Sequence, residues 1–505
     1  RKPQQEHPLD FTPSSWKDLH TSAPHEQERV AWFRKELASL NNYFSNGPSA
    51  RRLNSSTFVF PESARHPKAR GLIYRRHGPE ADGKPQLLDF HAPISTNLNA
   101  DFARWIAQYL GYPDQEIVSF IVHGIRFKAE VATHSVLNPA CQSLRDNYRL
   151  IESQTLDFEK RGMLCLWPDS PFSPARYVSC GTTQRKDDPA NPRLTDNHSA
   201  PNDDFDDEDG MLVTSINKAS ARGHGYPANP HEDKTSLSLI GNDCIVIKHV
   251  ADRTGSRVHQ AKLDMKFFFR QLGIASEDVW LNCRYLRQLK PHHRRGTHVE
   301  DRTMGYGSRV GSNYGQRLAH FMVYILFYFM FLLEDAAHDK LPQYAEQWLK
   351  QRADLNTPGM QRQDRLFSAA MYTDDLWLLA MGDDRMHRLL LAAHLMQKNL
   401  NVILAGSSKM AIGASLRIIG GDIFLQLGIV AIPAQKIIRA IAGLRATVAG
   451  TFLVSQYEKL LGLLVHCLFL VRMQWHLLDD LWDPIGYAKR SGRGTASVVK
   501  PQSHP

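Results

Sequence analysis

Cysteine is scarce and unpaired in this sequence: six residues among 505, at positions 141, 165, 180, 244, 283 and 467, with no CxxC spacing. That pattern excludes a disulfide scaffold and a thiolate zinc site and points to a reducing compartment. Long apolar runs are lacking too. The longest, 321–333, is shorter than the roughly 20 residues a bilayer-crossing helix needs. The opening residues, Arg1-Lys2-Pro3-Gln4-Gln5, hold neither an initiator methionine nor an apolar signal core. A fragment or processed product is expected, intracellular in cytoplasm or nucleus and not secreted, with no membrane partner. No internal repeat is visible. Hydrophobic residues at 42% and charged residues at 22% exclude a wholly disordered chain, and the length allows about three domains.

The chain has a formal charge of +9, and that charge is clumped. Arg284, Arg287, Lys290, Arg294, Arg295, Arg302 and Arg309 follow one another with His292, His293 and His298 among them, opposed only by Glu300 and Asp301. Such a cluster can neutralise phosphates or can be a solvated basic loop. The three histidines fit no strong zinc spacing. The acidic stretch 202–210 departs from the calcium-loop spacing and reads as a solvated loop.

Residues 1–111, rich in Pro, Ser, Asn and His, are expected to form a loosely structured, partly disordered N-terminal extension with short helices such as 26–40. Amphipathic helices are expected over 116–124 and 150–160, the second stopped by Gly162. Pro168, Pro171 and Pro174 mark a segment unsuited to a central strand. Residues 258–263 read as a strand running into Asp264, and 312–335 as a long, mostly buried helix. Within 366–379, two short apolar strands flank Tyr372-Thr373-Asp374-Asp375. A helix over 386–400, a hairpin over 416–432 split at Gly420-Gly421-Asp422, and helices over 434–448 and 455–475 follow. This order of elements describes an α+β domain.

Adjacent acids between apolar strands are costly unless water or a cation neutralises them. A hairpin turn alone would leave Asp374 and Asp375 in water. A third acid, Asp264, ends another apolar strand, and acids at the ends of neighbouring strands could jointly hold two divalent ions about 3.5–4 Å apart. Mg²⁺ suits carboxylate and phosphate oxygens.

Tyr372-Thr373-Asp374-Asp375 resembles the Y-x-D-D box of reverse transcriptases. Leu263-Asp264-Met265-Lys266 with Phe269-Arg270-Gln271-Leu272 resembles their first palm motif, and Asp301 to Val310 resembles the second. Arg193 with Ser199 and Pro201, continued by Ser215-Ile216-Asn217, is similar to the fingers segment of elements encoding a tyrosine recombinase. The set resembles the DIRS-type retrotransposon polymerase most closely, over residues 112–487.

This resemblance implies a right-hand polymerase fold: fingers with N-terminal helices over 112–256, palm over 257–433 with interleaved segments, thumb and start of a connection over 434–487, and a polar tail over 488–505. The implied activity is RNA-directed DNA synthesis, with an RNA template, a DNA primer or hybrid duplex, and dNTPs as partners. Asp264, Asp374 and Asp375 would be catalytic metal ligands for two Mg²⁺ ions, with Mn²⁺ as a substitute. Arg193, Phe269, Gly307, Tyr372 and Lys409 would serve the nucleotide, Phe269 by excluding a ribose 2′-hydroxyl and Lys409 as proton donor to pyrophosphate. Arg294, Arg295, Arg309, Lys436 and Arg439 would contact nucleic acid. The sequence departs from the family at Phe267 and Phe268, where polar then small residues are usual. It departs also at Ser312 for Pro, at Gly315 for an aromatic, and at Asn401 for Gly. A nucleic-acid-binding protein that keeps the fold without catalysis is the alternative. No RNase H set follows Trp482, and no recombinase signature is present.

Overall fold

The computed structural model describes residues 96–471 except for short stretches, the longest being 185–191, 207–211, 224–234 and 355–364; it also describes 73–76, 86–87, 94 and Ile485. The expected helix over 26–40 and most of the acidic stretch lie outside the described residues, as do Arg294 and Arg295. The elements that carry the argument are α1 (Ala100–Leu110), α2 (Gln115–His123), β1 (Val258–Asp264), α3 (Arg309–Ala337), β2 (Phe367–Tyr372), β3 (Asp375–Met381), α4 (Asp383–Leu400), β4 (Ala411–Gly413), α5 (Ala434–Val448) and α6 (Val454–Val471). Helices and sheets alternate, so the α+β class is observed. The chain divides into two compact units. One comprises Arg1–Lys234, Met265–His338 and Leu391–Ser407, the other Thr235–Asp264, Asp339–Leu390 and Ser408–Pro505.

In the first unit, order begins before residue 111. Asn99 caps α1 by accepting from Phe102 N at 3.1 Å, Gly111 ends it in the left-handed region, and Phe102, Ala103, Ile106 and Ala107 are buried. Spacings of three and four put these residues on one face; that stripe, with an Asn cap and a Gly stop, is legible in the sequence and was overlooked. A five-stranded sheet has the order Val136–Leu137, Arg176–Tyr177, Cys283–Leu286, Thr297–Asp301, Leu164–Trp167. Ile151, Phe158, Leu164, Leu194, Leu286 and Val299 form a core there. The basic cluster is corrected in part: Arg284 is 1% exposed and paired with Asp196 and Asp301, which also hold Arg270, and all four side chains are buried. Burial pushes the Arg270 and Arg284 guanidinium pKa values down, with Asp196 opposing the shift at both. Lys290 pairs with Glu159 and Arg302 with Glu300. Within this cluster, much of the charge is spent internally.

The helix α3 is longer than the apolar run suggested, and by length and composition alone it could cross a membrane. Over half of its apolar window is buried within the protein, as expected of a core helix. Its Arg317 forks onto Asp114, with Nε 2.7 Å from Oδ2 and Nη2 2.5 Å from Oδ1, while Nη1 lies 2.7 Å from Glu116. Asp114 also caps α2 through Ile117 N. One carboxylate therefore starts a helix and anchors the core arginine beside it.

The second unit is built on an antiparallel sheet in the order β2, β3, β1, β4. Its core gathers Ala370, Trp377, Leu379 and Met381 from the sheet with Ile240, Cys244, Ile247 and Val250 from a helix, Leu237–Thr254, that the sequence reading missed. Ser236 and Gly255 were the signals, as cap and left-handed stop. The expected hairpin is a three-stranded sheet, Ser415–Ile418, Gly421–Phe424 and Ile429–Ala431. A 3₁₀ turn over Leu425–Leu427 and left-handed Gly428 break its second arm. The helix α5 spans 434–448 as expected. It lies against α6, where a Cβ at Gly443 would come 2.7 Å from Leu460.

Replacing Arg317 by Met should cost about 3–5 kcal/mol, because it leaves the Asp114 carboxylate buried without its partner. Urea unfolding followed by tryptophan fluorescence measures this, and a change within about 0.5 kcal/mol, as for an ordinary surface substitution, would show that the pair contributes little.

Candidate active site

The strands β1 and β3 run antiparallel with Val258 opposite Met381, Gln260 opposite Leu379, Lys262 opposite Trp377 and Asp264 opposite Asp375. Opposed residues share a face, and the side-chain period of two keeps this set together. The face therefore runs from buried Met381, Leu379 and Trp377 to a charged end. The indole Nε1 of Trp377 donates to Gln260 Oε1 at 3.2 Å, which satisfies both buried polar groups. The other hairpin, β2 to β3, closes on Tyr372 opposite Asp375, leaving Thr373 and Asp374 as a two-residue turn. A two-residue hairpin demands positive φ at its first central position. Thr373 supplies φ 50° there, a conformation a β-branched residue rarely adopts. Its hydroxyl bonds the Tyr372 carbonyl at 2.7 Å and the Asp374 Oδ1 at 3.1 Å. Strained backbone of this kind costs about 1–3 kcal/mol and clusters at functional sites.

Like charges directly opposite on a sheet repel. Two lysines answer them: Lys262 Nζ lies 2.9 Å from Asp375 Oδ1, and Lys409 Nζ lies 3.7 Å from Asp264 Oδ2. The balance still leaves Asp264 with a pKa pushed up to about 6, first by burial and then by the charges of Asp374 and Asp375, with Lys409 and Lys262 opposing. Among the described residues, no group of three or more His, Cys, Asp or Glu side chains is gathered closely enough to hold a metal ion. The donor chemistry nonetheless fits a hard divalent cation: carboxylate oxygens at one strand end carry more negative charge than the desolvated setting supports.

The first unit holds other residues singled out from the sequence. Arg193 begins a strand and sits 5.8 Å from the centre of the Tyr306 ring. Phe269 meets Phe268 and Tyr306 edge-on, with ring centres 5.5 and 5.6 Å apart. Gly307 has φ 107°, and a Cβ there would overlap the Asp196 carbonyl oxygen, so only glycine fits. Arg309, exposed at the start of α3, lines an open recess of about 480 Å³ with Ser199, Ser215, Asn217 and Lys218. The Asn217 side chain braces this recess, donating to Ser199 Oγ and Gly307 O and accepting from Arg309 N. Lys218 pairs with Asp204.

In the second unit, Lys436 is turned inward, with Nζ 2.7 Å from Gly420 O and 2.5 Å from His466 Nε2; Arg439 is exposed. Lys262 went unnoticed in the sequence, although its place two residues before Asp264 put it on the same face.

No protein-family model matches the chain, and no curated protein does. Solved structures similar to it include foamy viral protease-reverse transcriptase complexes. The dRH form with double-stranded DNA has 13% identity and a TM-score of 0.44, covering 83% of this chain and 60% of that one. The complex with RNA/DNA hybrid has 13% identity and a TM-score of 0.40, covering 80% and 44%. Another complex with double-stranded DNA has 11% identity and a TM-score of 0.37, covering 78% and 64%. The chain thus spans less than two thirds of the length of each.

With metal removed by a chelator, Asp264→Asn should stabilise the protein at pH 7–8 by about 1–3 kcal/mol, since each unit of pKa shift is worth about 1.4 kcal/mol. The sign follows from the raised pKa: protonated Asp264 stabilises the fold below the unfolded value near 4, and this is lost as pH rises through about 6. The gap between mutant and wild type should therefore close below pH 4. Denaturant midpoints across pH test this, and a gap independent of pH would contradict it.

Proposed function

We propose that the chain is an RNA-directed DNA polymerase of a mobile element, of the DIRS type, with N-terminal helices and fingers over 112–256, palm over 257–433, and thumb and the start of a connection over 434–487. The observation that carries this reading is the cross-strand pair Asp264–Asp375 with Asp374 in the adjoining turn, at the polar end of the largely apolar β2–β3 hairpin. Asp264, Asp374 and Asp375 would hold two Mg²⁺ ions, or Mn²⁺ in their place, whose chemistry is to activate a 3′-hydroxyl and offset charge on pyrophosphate. The primer 3′-oxygen bonds the α-phosphorus of a dNTP, the bond to pyrophosphate breaks, and the hydroxyl proton passes to solvent water. Lys409, already beside Asp264, is suited to give a proton to the leaving pyrophosphate.

Arg193 offers a planar guanidinium to the triphosphate. Phe269, held edge-on between two rings, can exclude a 2′-hydroxyl by bulk alone. The recess of Arg309, Ser199, Ser215 and Asn217 presents cationic, hydroxyl and amide donors suited to a strand phosphate. Arg439, with Arg294 and Arg295, would add duplex contacts. The natural partners are an RNA template, a primer or hybrid duplex and dNTPs, in cytoplasm or nucleus. A nucleic-acid-binding protein without catalysis is the second reading, and the lysine-neutralised, ungathered carboxylates favour it.

Primer extension on an RNA template with Mg²⁺ decides between them. The wild type should extend the primer, and the Asp374→Asn, Asp375→Asn double mutant should lose at least about a thousandfold, an enzyme-like loss for charge stabilisation at the reacting centre. Equal extension, or none from either protein, would refute the polymerase reading. Phe269→Ala should admit ribonucleotides while leaving Mn²⁺ binding intact; an unchanged dNTP preference would leave Phe269 as core packing alone.

A further inference from the structure

We infer that Lys262 is a built-in counter-cation for the carboxylate pair, which holds Asp375 in the metal-free protein and gives way when a divalent ion binds. This rests on the metal-site reading above and names the residue that regulates its loading. Lys262 precedes Asp264 by two positions on β1, so strand alternation puts both on one face, and the register sets Lys262 opposite Trp377 beside Asp375 on β3. The Nζ lies 2.9 Å from Asp375 Oδ1, with the two side chains 24% and 28% exposed. An ion pair at that depth is partly desolvated yet open to water, and can form and break without leaving a charge stranded.

The residue type matters as much as the place. A lysine is a point charge on a flexible four-carbon stem, whereas an arginine fork would grip the carboxylate through two parallel bonds. The ammonium and a divalent ion seek the same oxygen of Asp375. While the ammonium is there, it relieves the repulsion between opposed Asp264 and Asp375. When an ion takes over that neutralisation, the lysine loses its reason to stay. Lys409 stands on the other carboxylate, 3.7 Å from Asp264 Oδ2.

The test measures Mn²⁺ binding by electron paramagnetic resonance on the full chain after chelation, with no substrate present. Lys262→Gln should tighten Mn²⁺ binding about two- to fivefold, the equilibrium equivalent of a partly exposed ion pair. Lys262→Arg should bind Mn²⁺ no more tightly than wild type. A second measurement follows acetylation of Lys262 by mass spectrometry. Its rate should rise at least about twofold when Mg²⁺ replaces chelator, and Asp375→Asn should show the fast rate in both conditions.

Binding by wild type that Asp375→Asn abolishes, together with unaltered affinity in Lys262→Gln, would overturn the role of Lys262 and leave the metal site standing. An acetylation rate indifferent to Mg²⁺ would overturn it equally. Absence of Mn²⁺ binding in every chain would overturn both.

Discussion

Repulsion between Asp264 and Asp375 is the constraint around which the second unit is arranged. Antiparallel pairing sets the two carboxylates directly opposite, the least favourable placement a sheet offers for like charges. The sheet tolerates it because the pairing is enforced from the other end. Trp377, Leu379 and Met381 are all but inaccessible to water and belong to one core with the helix Leu237–Thr254. A slip of one residue would relieve the acids but exchange the face of Trp377, Leu379 and Met381 with that of Leu376, Leu378 and Ala380, which is equally buried but differently shaped. Hydrophobic packing thus fixes the register, and the register concentrates charge at the strand ends. The two lysines and the raised pKa of Asp264 are consequences of that order of strengths.

The same logic separates what the sequence disclosed from what it hid. The strands around Asp374-Asp375 were legible because apolar runs flank the acids, and α5 because its apolar stripe begins after Pro433 and continues past Gly443. The helix Leu237–Thr254 was hidden because it is apolar on several faces and gives little periodic contrast, although its cap and stop residues were present. The hairpin after residue 415 was read as two strands because a 3₁₀ turn carries no pattern of its own. Burial of arginine was hidden for a different reason. Nothing local marks Arg284 as internal, since Asp301 on the neighbouring strand could as well be solvated and the second partner, Asp196, comes from a strand far off in the sequence. Lys262 shows the opposite case: its period-two relation to Asp264 was visible, but the partner across the sheet could be named only with the register known.

Backbone conformation accounts for one departure from the reverse transcriptase pattern that the sequence resembles. Asn401, standing where glycine is usual, has φ 57° and ends α4, so it adopts the left-handed geometry that glycine would supply. Asparagine tolerates that region better than most residues. The turn it makes lets the chain return beside Lys266, whose amide donates to Ile403 O at 2.9 Å. The substitution therefore preserves the path of the chain.

The bulky Phe267-Phe268 pair is absorbed by packing in a comparable way. Phe268 is buried, and Phe267 turns onto Phe158 edge-on with ring centres 5.2 Å apart. Room for the neighbouring rings comes from Gly315. A Cβ at Gly315 would stand 2.6 Å from Phe269 and 3.2 Å from Phe268. Volume added on one segment is matched by volume removed on the helix facing it, and interiors tolerate such exchanges best when total volume is conserved. The missing side chain at Gly315 thus gives room chiefly to Phe269 and then to Phe268, so the bulk of this segment is absorbed in the packing of the first unit.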